Sequence, residues 1–184
     1  METAKNLASL INPRSVTVNV KSITESVHKE TICLTIVDKD LMSVSLIYSV
    51  FHSFGSGFAS SKYGINFQNR GAGFTLERNH PNEVGAKKRP MHTIIPGMLK
   101  KNDKILMPFC VMGGAYQATG HSRFVSNIVD FDLHPQTSID APRSFADGGI
   151  LKVERGYKND VCQGLIDLGH NIIVPDTPIG GAQA

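Results

Sequence analysis

The sequence has no long apolar run, and no stretch approaches the roughly 20 apolar residues that a membrane-spanning helix needs. Its first ten residues, METAKNLASL, also lack the basic start and apolar core of a secretory signal peptide. These two absences predict a protein with no membrane partner, for which the cytoplasm is the default compartment.

Cysteine is scarce, with three residues in a chain of 184. Cys33, Cys110 and Cys162 are widely spaced and mostly lie in apolar runs, which favours buried thiols in a reducing compartment over a disulfide framework. The seven histidines show no HExxH or paired spacing, and the cysteines show no CxxC. The sequence therefore predicts no metal site and implies no cofactor.

The formal charge of +3 is small and comes mainly from two local clusters, residues 87–89 and 100–101. Neither cluster is interleaved with aromatic side chains as in a nucleic-acid surface, so no nucleic-acid partner is predicted. The apolar content of 41% and the length instead fit one soluble globular domain with a sizeable core. The chain contains no internal repeat.

Alternating and apolar runs predict two hairpins. The first joins strands at 31–37 and 44–50 across Asp38-Lys39-Asp40, and the second joins strands at 94–99 and 105–112. Between the hairpins, segments rich in Gly and Asn predict pocket-forming loops around one short strand at 65–67.

The later part of the chain carries helical patterns. An amphipathic helix is predicted at 117–131, with Phe124, Val125, Ile128 and Val129 as its core-facing stripe. A short helix is expected from Pro135 toward Ala141, and another helix around 161–168, with Asn159 as N-cap and Gly169 just beyond its end. A strand at 171–174 follows. The predicted strands come mostly before the predicted helices, and they pair antiparallel. This order favours an α+β fold over a parallel βαβ sheet.

Two places in the chain are suited to acyl-transfer chemistry. Thr31 begins the first strand, and Gly113-Gly114 follows the strand of the second hairpin just before a helical pattern. Adjacent glycine N–H groups beside a helix N-terminus can stabilise negative charge on an acyl oxygen. A strand-opening threonine and a Gly-Gly turn also have ordinary structural explanations, namely β-propensity and positive φ angles.

A set of longer motifs extends these observations. The stretches TICLTIVDKD, VSLIYSVFHSFGSG, INFQNRGAGF, HPNEVGAKKRPMHTIIPGML, VMGGAYQATGH, NIVDF, DAPR, IDLGHNI and GGAQA occur in this order. In order and approximate spacing they resemble the small subunit of the γ-glutamyltranspeptidase family of N-terminal-nucleophile hydrolases. The NRGAGF and FHSFGSG versions are more similar to its transpeptidase-like and cephalosporin-acylase branches.

The resemblance implies an αββα sandwich, of which this chain is only the small-subunit part. Residues 1–30 resemble the end of the large subunit, and 31–184 resemble the catalytic small subunit, which is expected to be truncated at its C-terminus. The several hundred residues that normally precede are missing, so a large-subunit partner is expected. Two such heterodimers are the expected assembly.

Family likeness also implies a mechanism. A threonine hydroxyl needs a base, which its own α-amine provides once Thr31 becomes N-terminal. The Glu30–Thr31 bond is therefore expected to be cut by the protein itself. Thr31 would then be the nucleophile, Ser49 the assisting hydroxyl, and Gly113 and Gly114 the oxyanion pair.

Four residues match the family's substrate-binding positions. His92 and Thr93 match two serines that help to hold the substrate carboxylate, and Arg70 lies where many γ-glutamyltranspeptidases have Gln or Asn. Gly73 replaces the aspartate that pairs with the glutamyl ammonium, while Phe51 replaces Asn. These departures predict a dicarboxylic acyl chain without the amine, held by Arg70.

Other interpretations remain open. Arg70 is equally well explained as a structural ion-pair partner, and His52 and His121, beside glycines in turn-like segments, as surface groups. Two functions follow for the whole chain. One is an enzyme that acts on γ-glutamyl or related acyl amides, such as glutathione-like or glutaryl donors. The other is an inactive truncated subunit with a structural or binding role.

Overall fold

The computed structural model describes residues 2–16 and 30–184. These form two compact units, one built from residues 2–16 and 142–179 and the other from 30–141 and 180–184. In chain order the elements are α1 (Glu2–Ser9), β1 (Glu30–Val37), β2 (Ser43–Phe51), a 3-10 turn (Arg70–Gly73), β3 (Gly97–Lys101), β4 (Lys104–Met112), α2 (Tyr116–Val129), α3 (Pro135–Asp140), β5 (Ser144–Asp147), β6 (Ile150–Val153), α4 (Asn159–Asp167), β7 (Asn171–Ile173) and β8 (Gly181–Gln183).

Strands β1 and β2 form the first hairpin, as the alternating pattern predicts. Their antiparallel register runs from Thr31 opposite Ser49 to Val37 opposite Ser43. The turn is fixed by the Asp38 carboxylate, which accepts hydrogen bonds from the backbone N–H groups of residues 40 and 42 at 2.9 and 2.8 Å. A short aspartate side chain that bonds the following backbone is a common way of closing such a turn.

The second hairpin, β3–β4, is also confirmed, and β8 extends it to a three-stranded antiparallel sheet in the order β3-β4-β8. Its first strand begins at Gly97, later than the predicted residue 94. Pro96 directly precedes Gly97, and proline has no N–H to donate to a ladder. The predicted strand at 65–67 is wrong, because Asn66 forms only an isolated bridge with Ala59.

Helix α2 and the β1–β2 hairpin cover opposite faces of the β3-β4-β8 sheet. The ring of Phe109 in β4 stacks on Phe124 of α2 at 5.1 Å between centroids. The next residue, Cys110, points to the other face and is bonded to Cys33 of β1. Side chains alternate along a strand, so this unit has three layers: α2, the β3-β4-β8 sheet, and the β1–β2 hairpin.

The buried face of α2 differs from the predicted apolar stripe. It consists of Tyr116, Gln117, Gly120, His121 and Phe124, whereas Val129 at the helix end is 64% exposed. Small and polar side chains occupy this face because the helix lies close to β4. A Cβ on Gly120 would stand only 2.6 Å from a methyl group of Val111.

The unit of residues 2–16 and 142–179 contains α1, α4 and a sheet of order β5-β6-β7. Strands β6 and β7 are parallel and are connected through α4, so the expectation of purely antiparallel pairing is wrong here. Helix α4 has Lys158 rather than the predicted Asn159 at its N-cap. Gly169 follows its end with φ of 98°, the left-handed conformation typical of the residue after a helix.

Among residues 2–16 and 30–184, no helix combines the length and the apolar character needed to cross a membrane.

Candidate active site

Thr31 and Ser49 face each other across the first hairpin. They are direct register partners in the β1–β2 ladder, and the register shifts between Glu30 and Thr31. The Ser49 hydroxyl oxygen accepts a hydrogen bond from the N–H of Phe51 at 3.0 Å. The two hydroxyl residues predicted to act together are therefore neighbours beside the Glu30–Thr31 peptide bond.

Gly113 and Gly114 form the turn between β4 and α2. Their φ angles are 137° and 60°, in the region where a Cβ would be strained, so glycine is the residue that this backbone requires. Gly113 and Gly114 accept the first hydrogen bonds of the helical segment, from Tyr116 at 3.2 Å and Gln117 at 3.1 Å. The predicted oxyanion pair thus lies immediately before the N-terminus of a 14-residue helix.

Arg70 lies at the start of the 3-10 turn and is 8% exposed. One guanidinium nitrogen, Nη1, donates to the Thr93 hydroxyl oxygen at 3.2 Å, and the guanidinium carbon lies 5.4 Å from the centre of the Phe51 ring. The other nitrogen, Nη2, is buried and has no hydrogen-bond partner among the residues that the structure describes. Burial lowers the pKa of Arg70 below its ordinary value, since desolvation disfavours the charged form.

The alternative interpretation makes Arg70 one half of a structural ion pair. In the described part of the chain, the ion pairs are formed by other residues and none includes Arg70. An arginine remains protonated at neutral pH even when its pKa falls. Among the described residues, no carboxylate forms an ion pair with this buried charge.

Gly73 lies at the other end of the same turn, beside Phe51. A Cβ on Gly73 would stand 3.8 Å from the tip of the Phe51 ring and 3.9 Å from the carbonyl oxygen of Met91. Asn82 holds these two segments together, because its side-chain amide donates to the Gly73 carbonyl and accepts from the Met91 N–H at 2.8 Å. No sequence pattern identified Asn82, although it lies in the HPNE segment of a loop expected to form the pocket.

His92 and Thr93 follow Met91 but have different environments. Thr93 is buried against Arg70, whereas His92 is exposed. The Nδ1 atom of His92 accepts the N–H of Ile94 at 3.2 Å, so the neutral ring carries its proton on Nε2. The structure therefore joins Thr93, but not His92, to the arginine by a direct contact.

A register pair and a disulfide connect the start of β1 with the arginine cluster and with the glycine turn. Phe51, which contacts Arg70, is the register partner of Glu30, so the arginine cluster lies near the start of β1. A disulfide joins Cys33 in β1 to Cys110 in β4, three residues before Gly113. The prediction of free thiols at these two positions is wrong, because the tertiary fold brings together cysteines that are 77 residues apart.

The two histidines considered from the sequence have different positions. His121 is not a surface loop residue: it is 8% exposed in α2, and its Nδ1 lies 2.6 Å from the Gln117 carbonyl oxygen. His52 is half-buried, and its Nδ1 lies 2.8 Å from the side-chain amide nitrogen of Asn69. Among the residues that the structure describes, no group of three His, Cys, Asp or Glu side chains is arranged to hold a metal ion.

Comparison with known proteins supports the motif resemblance along the whole chain. The family described as Gamma-glutamyltranspeptidase matches residues 1–184. The chain belongs to the γ-glutamyltranspeptidase family.

Members of this γ-glutamyltranspeptidase family that are similar to the chain include two bacterial proenzymes. Glutathione hydrolase-like YwrD proenzyme of Bacillus subtilis (strain 168) is 32% identical over 154 residues, which cover 80% of this chain and 29% of the relative. Oxamate amidohydrolase proenzyme of Klebsiella pneumoniae is 31% identical over 151 residues, which cover 79% of this chain and 29% of the relative. The chain thus spans about 29% of the length of these relatives.

Solved structures confirm the predicted fold class. The crystal structure of cephalosporin acylase from Bacillus halodurans is 38% identical, with a TM-score of 0.81, and the match covers 98% of this chain and 33% of that one. An acivicin-inhibited γ-glutamyltranspeptidase, at 23% identity, has a TM-score of 0.73 over 82% of this chain and 86% of that one. The fold is that of the γ-glutamyltranspeptidase type of N-terminal-nucleophile hydrolase, here as the small-subunit region.

Proposed function

We propose that the complete protein is an N-terminal-threonine amidohydrolase or acyltransferase that carries its acyl group as an ester on Thr31. Family membership supports the reaction class, and similar proteins are named hydrolase, amidohydrolase and acylase proenzymes. The placement of Thr31 opposite Ser49 supports the nucleophile. The large-subunit part of the precursor, or a separate chain, is the proposed partner, in an assembly of two heterodimers.

Activation would begin at the Glu30–Thr31 bond. The Thr31 hydroxyl attacks the Glu30 carbonyl carbon, and the peptide nitrogen leaves as the free α-amine of Thr31, which gives an ester. Water then hydrolyses the ester, releasing the Glu30 carboxylate and restoring the hydroxyl. The new amine has an ordinary pKa near 8 and can accept the hydroxyl proton at neutral pH.

In turnover the same hydroxyl attacks the acyl carbonyl of an amide. The N–H groups of Gly113 and Gly114 would stabilise the oxyanion, and removal of one such donor typically costs about 10²–10³-fold in kcat. The Thr31 ammonium gives its proton to the leaving amine. Water or an acceptor amine then takes the acyl group from the ester.

The acyl donor that we propose ends in a carboxylate and has no α-amine, as in a glutaryl amide. The observation that carries this proposal is the buried Arg70. Its Nη2 has no hydrogen-bond partner in the described part of the chain, and its Nη1 donates to the Thr93 hydroxyl. A carboxylate can bind both nitrogens or bridge Nη2 and the Thr93 hydroxyl hydrogen. Gly73 provides no anion to pair with an ammonium.

His92 has a smaller role in this proposal. Its Nε2–H is the donor available to a substrate carboxylate, because Nδ1 is engaged by the backbone. The exposure of His92 places such a contact at the rim of the site, where hydrogen bonds compete with water.

A large-subunit partner is supported by the outer face of the β1–β2 hairpin. The apolar side chains of this face are between 41% and 64% exposed, namely Ile32, Leu34, Ile36, Val44, Leu46 and Tyr48. An apolar strand face of this size is normally covered. The cytoplasmic location stays a prediction, and the disulfide removes the argument from free thiols that supported it.

The alternative is an inactive truncated subunit with a structural or binding role. A stable, monomeric 184-residue chain without turnover in the presence of its large-subunit partner would support this alternative.

Intact-mass analysis of the complete, folded protein tests the enzymatic proposal. We expect a cut between Glu30 and Thr31, and we expect Thr31→Ala to abolish both the cut and amide turnover. Thr35→Ala is a matched control, because Thr35 lies on the same half-buried face of β1 and is opposite Ser45. Turnover by an uncut protein would contradict the mechanism.

A further inference from the structure

The nucleophile and the oxyanion glycines lie on two different sheets. In the described part of the chain, no β-ladder connects the β1–β2 hairpin with the β3-β4-β8 sheet. Among the described residues, the side-chain links between them include the disulfide between Cys33 and Cys110 and the Ser45 hydroxyl, which donates to the Phe109 carbonyl oxygen at 2.8 Å. The disulfide is the covalent connection between the two layers.

This disulfide lies between the groups that must cooperate. Thr31 is two residues before Cys33 on the same face of β1, roughly 7 Å along the strand, and Gly113 is about 10 Å along the chain beyond Cys110. Arg70 and Thr93, in contrast, lie in the loops that precede β3. A change at the disulfide therefore acts on the nucleophile and the oxyanion pair rather than on the proposed carboxylate site.

We propose that Cys33 and Cys110 are positioning residues that set the spacing between Thr31 and the Gly113-Gly114 turn, and that reduction of their disulfide lowers turnover. The inference rests on the proposed function of Thr31. It makes the thiol–disulfide state of the protein a control over its catalytic rate.

The chemistry of the change is ordinary thiol–disulfide exchange. A thiolate of a dithiol such as dithiothreitol attacks one sulfur, the other sulfur leaves and takes a proton, and the second thiolate of the reagent completes the exchange. Two electrons pass to the protein, which gains two thiols, and the reagent becomes a cyclic disulfide. Both cysteines are at most 4% exposed, so attack requires a local opening and is expected to be slow.

The size of the effect follows from the loss of the covalent link. After reduction the two layers are held by packing and by hydrogen bonds such as that from Ser45 to the Phe109 carbonyl oxygen, so the spacing between Thr31 and the Gly113-Gly114 turn is no longer fixed. A misplacement of about 1 Å between reacting groups costs as much as 10²-fold in rate. We expect kcat to fall about 10- to 100-fold, with KM changed less than about twofold.

The experiment compares the complete, self-cut protein in its oxidised state with the same protein after dithiothreitol. Alkylation and peptide mass analysis report the state of each cysteine. Cys162, which is free and only partly buried, is the internal control for reagent access. Circular dichroism checks that the reduced protein stays folded. We expect kcat to fall as Cys33 and Cys110 become alkylatable and to return on reoxidation.

Two variants sharpen the test. Cys162→Ala should respond to dithiothreitol as the unmodified protein does, whereas Cys33→Ala/Cys110→Ala should have a low kcat that no longer changes with reductant. If the double variant does not fold, the reduction and reoxidation series on the unmodified protein decides the question.

The possible failures are distinguishable. No turnover by the oxidised protein contradicts the proposed function. Full turnover with both Cys33 and Cys110 alkylated overturns the inference and leaves the function intact, as does a native protein in which these two cysteines are found unbonded. A proportional fall in kcat and rise in KM would point to general loosening and would also overturn the positioning role.

Discussion

Replacement of Gly73 by aspartate should move the donor preference of the assembled enzyme from glutaryl amides toward γ-glutamyl amides. The substitution is sterically allowed, because a Cβ at this position would meet its nearest neighbours, Phe51 and Pro90, at 3.8 Å. The φ angle of Gly73 is not in the positive range, so a side chain at this position causes no backbone strain. The new carboxylate would lie on the side of the site formed by the Phe51 ring.

The magnitude follows from one charged hydrogen bond. A γ-glutamyl ammonium gains a partner in the variant, and such a bond contributes about 1.5–3 kcal/mol, or roughly 10- to 150-fold in specificity. The added carboxylate also competes with the substrate carboxylate for Arg70, which weakens both donors. This second effect is common to both donors and cancels when they are compared, so the ratio of the two kcat/KM values is the quantity to measure.

The assay uses matched amides that differ only in the α-amino group, with kcat/KM determined for each in parallel. Gly71→Asp is the control, because Gly71 lies in the same 3-10 turn and a Cβ there meets nothing within 4 Å. It adds the same charge without entering the site. An unmodified enzyme that clearly prefers the γ-glutamyl donor would refute the reasoning, as would equal ratios in both variants.

Three further outcomes are expected. Arg70→Gln should lower kcat/KM for both donors at least about tenfold through a raised KM, whereas Arg78→Gln, an equal loss of charge at an exposed position, should leave steady-state kinetics unchanged. Gly120→Ala should lower the free energy of unfolding of the complete protein by about 1–3 kcal/mol, and with it the melting temperature, because its Cβ would overlap the side chains of Val111 in β4 and Tyr116 in α2. Gly164→Ala in α4 is the matched test, because a Cβ on Gly164 would meet nothing within 4 Å. This variant should raise the melting temperature slightly. Finally, the 184 residues expressed alone should sediment as oligomers or aggregates, and a monodisperse monomer with a cooperative melt would contradict the need for a covering partner.

The local parts of the fold could be predicted from the sequence. Both hairpins follow from alternating patterns on either side of short polar turns, and the β1–β2 and β3–β4 ladders confirm them. Helix α2 was predicted to within two residues at either end, since caps and fraying blur such boundaries.

The remaining elements depend on distant partners. Strand β8 is three residues of small or polar side chains, GAQ, and exists as a strand because β4 pairs with it. The parallel pairing of β6 with β7 likewise has no local signal in strands of four and three residues. Propensity has little power over such short segments, where the neighbouring strand decides the conformation.

The candidate site, too, could be predicted from the sequence only in part. The motif resemblance named Thr31, Arg70 and the glycine pair, but only the fold shows that Arg70 is buried and that its Nη1 is held by Thr93. The pairing of Cys33 with Cys110 could not be inferred from spacing, because it depends on the stacking of two sheets.

The β1–β2 ladder has a consequence for the state that would follow the proposed cut before Thr31. All of residues 31–37 in β1 are paired, from Thr31 opposite Ser49 to Val37 opposite Ser43, so a break before Thr31 would leave each of them in the ladder. The newly formed terminus would be held as firmly as an interior residue of a sheet, whereas chain termini usually fray. An amine fixed in this way stays beside its own hydroxyl on every turnover. The entropy of bringing base and nucleophile together would thus be lost once, during folding, and not again in each catalytic cycle.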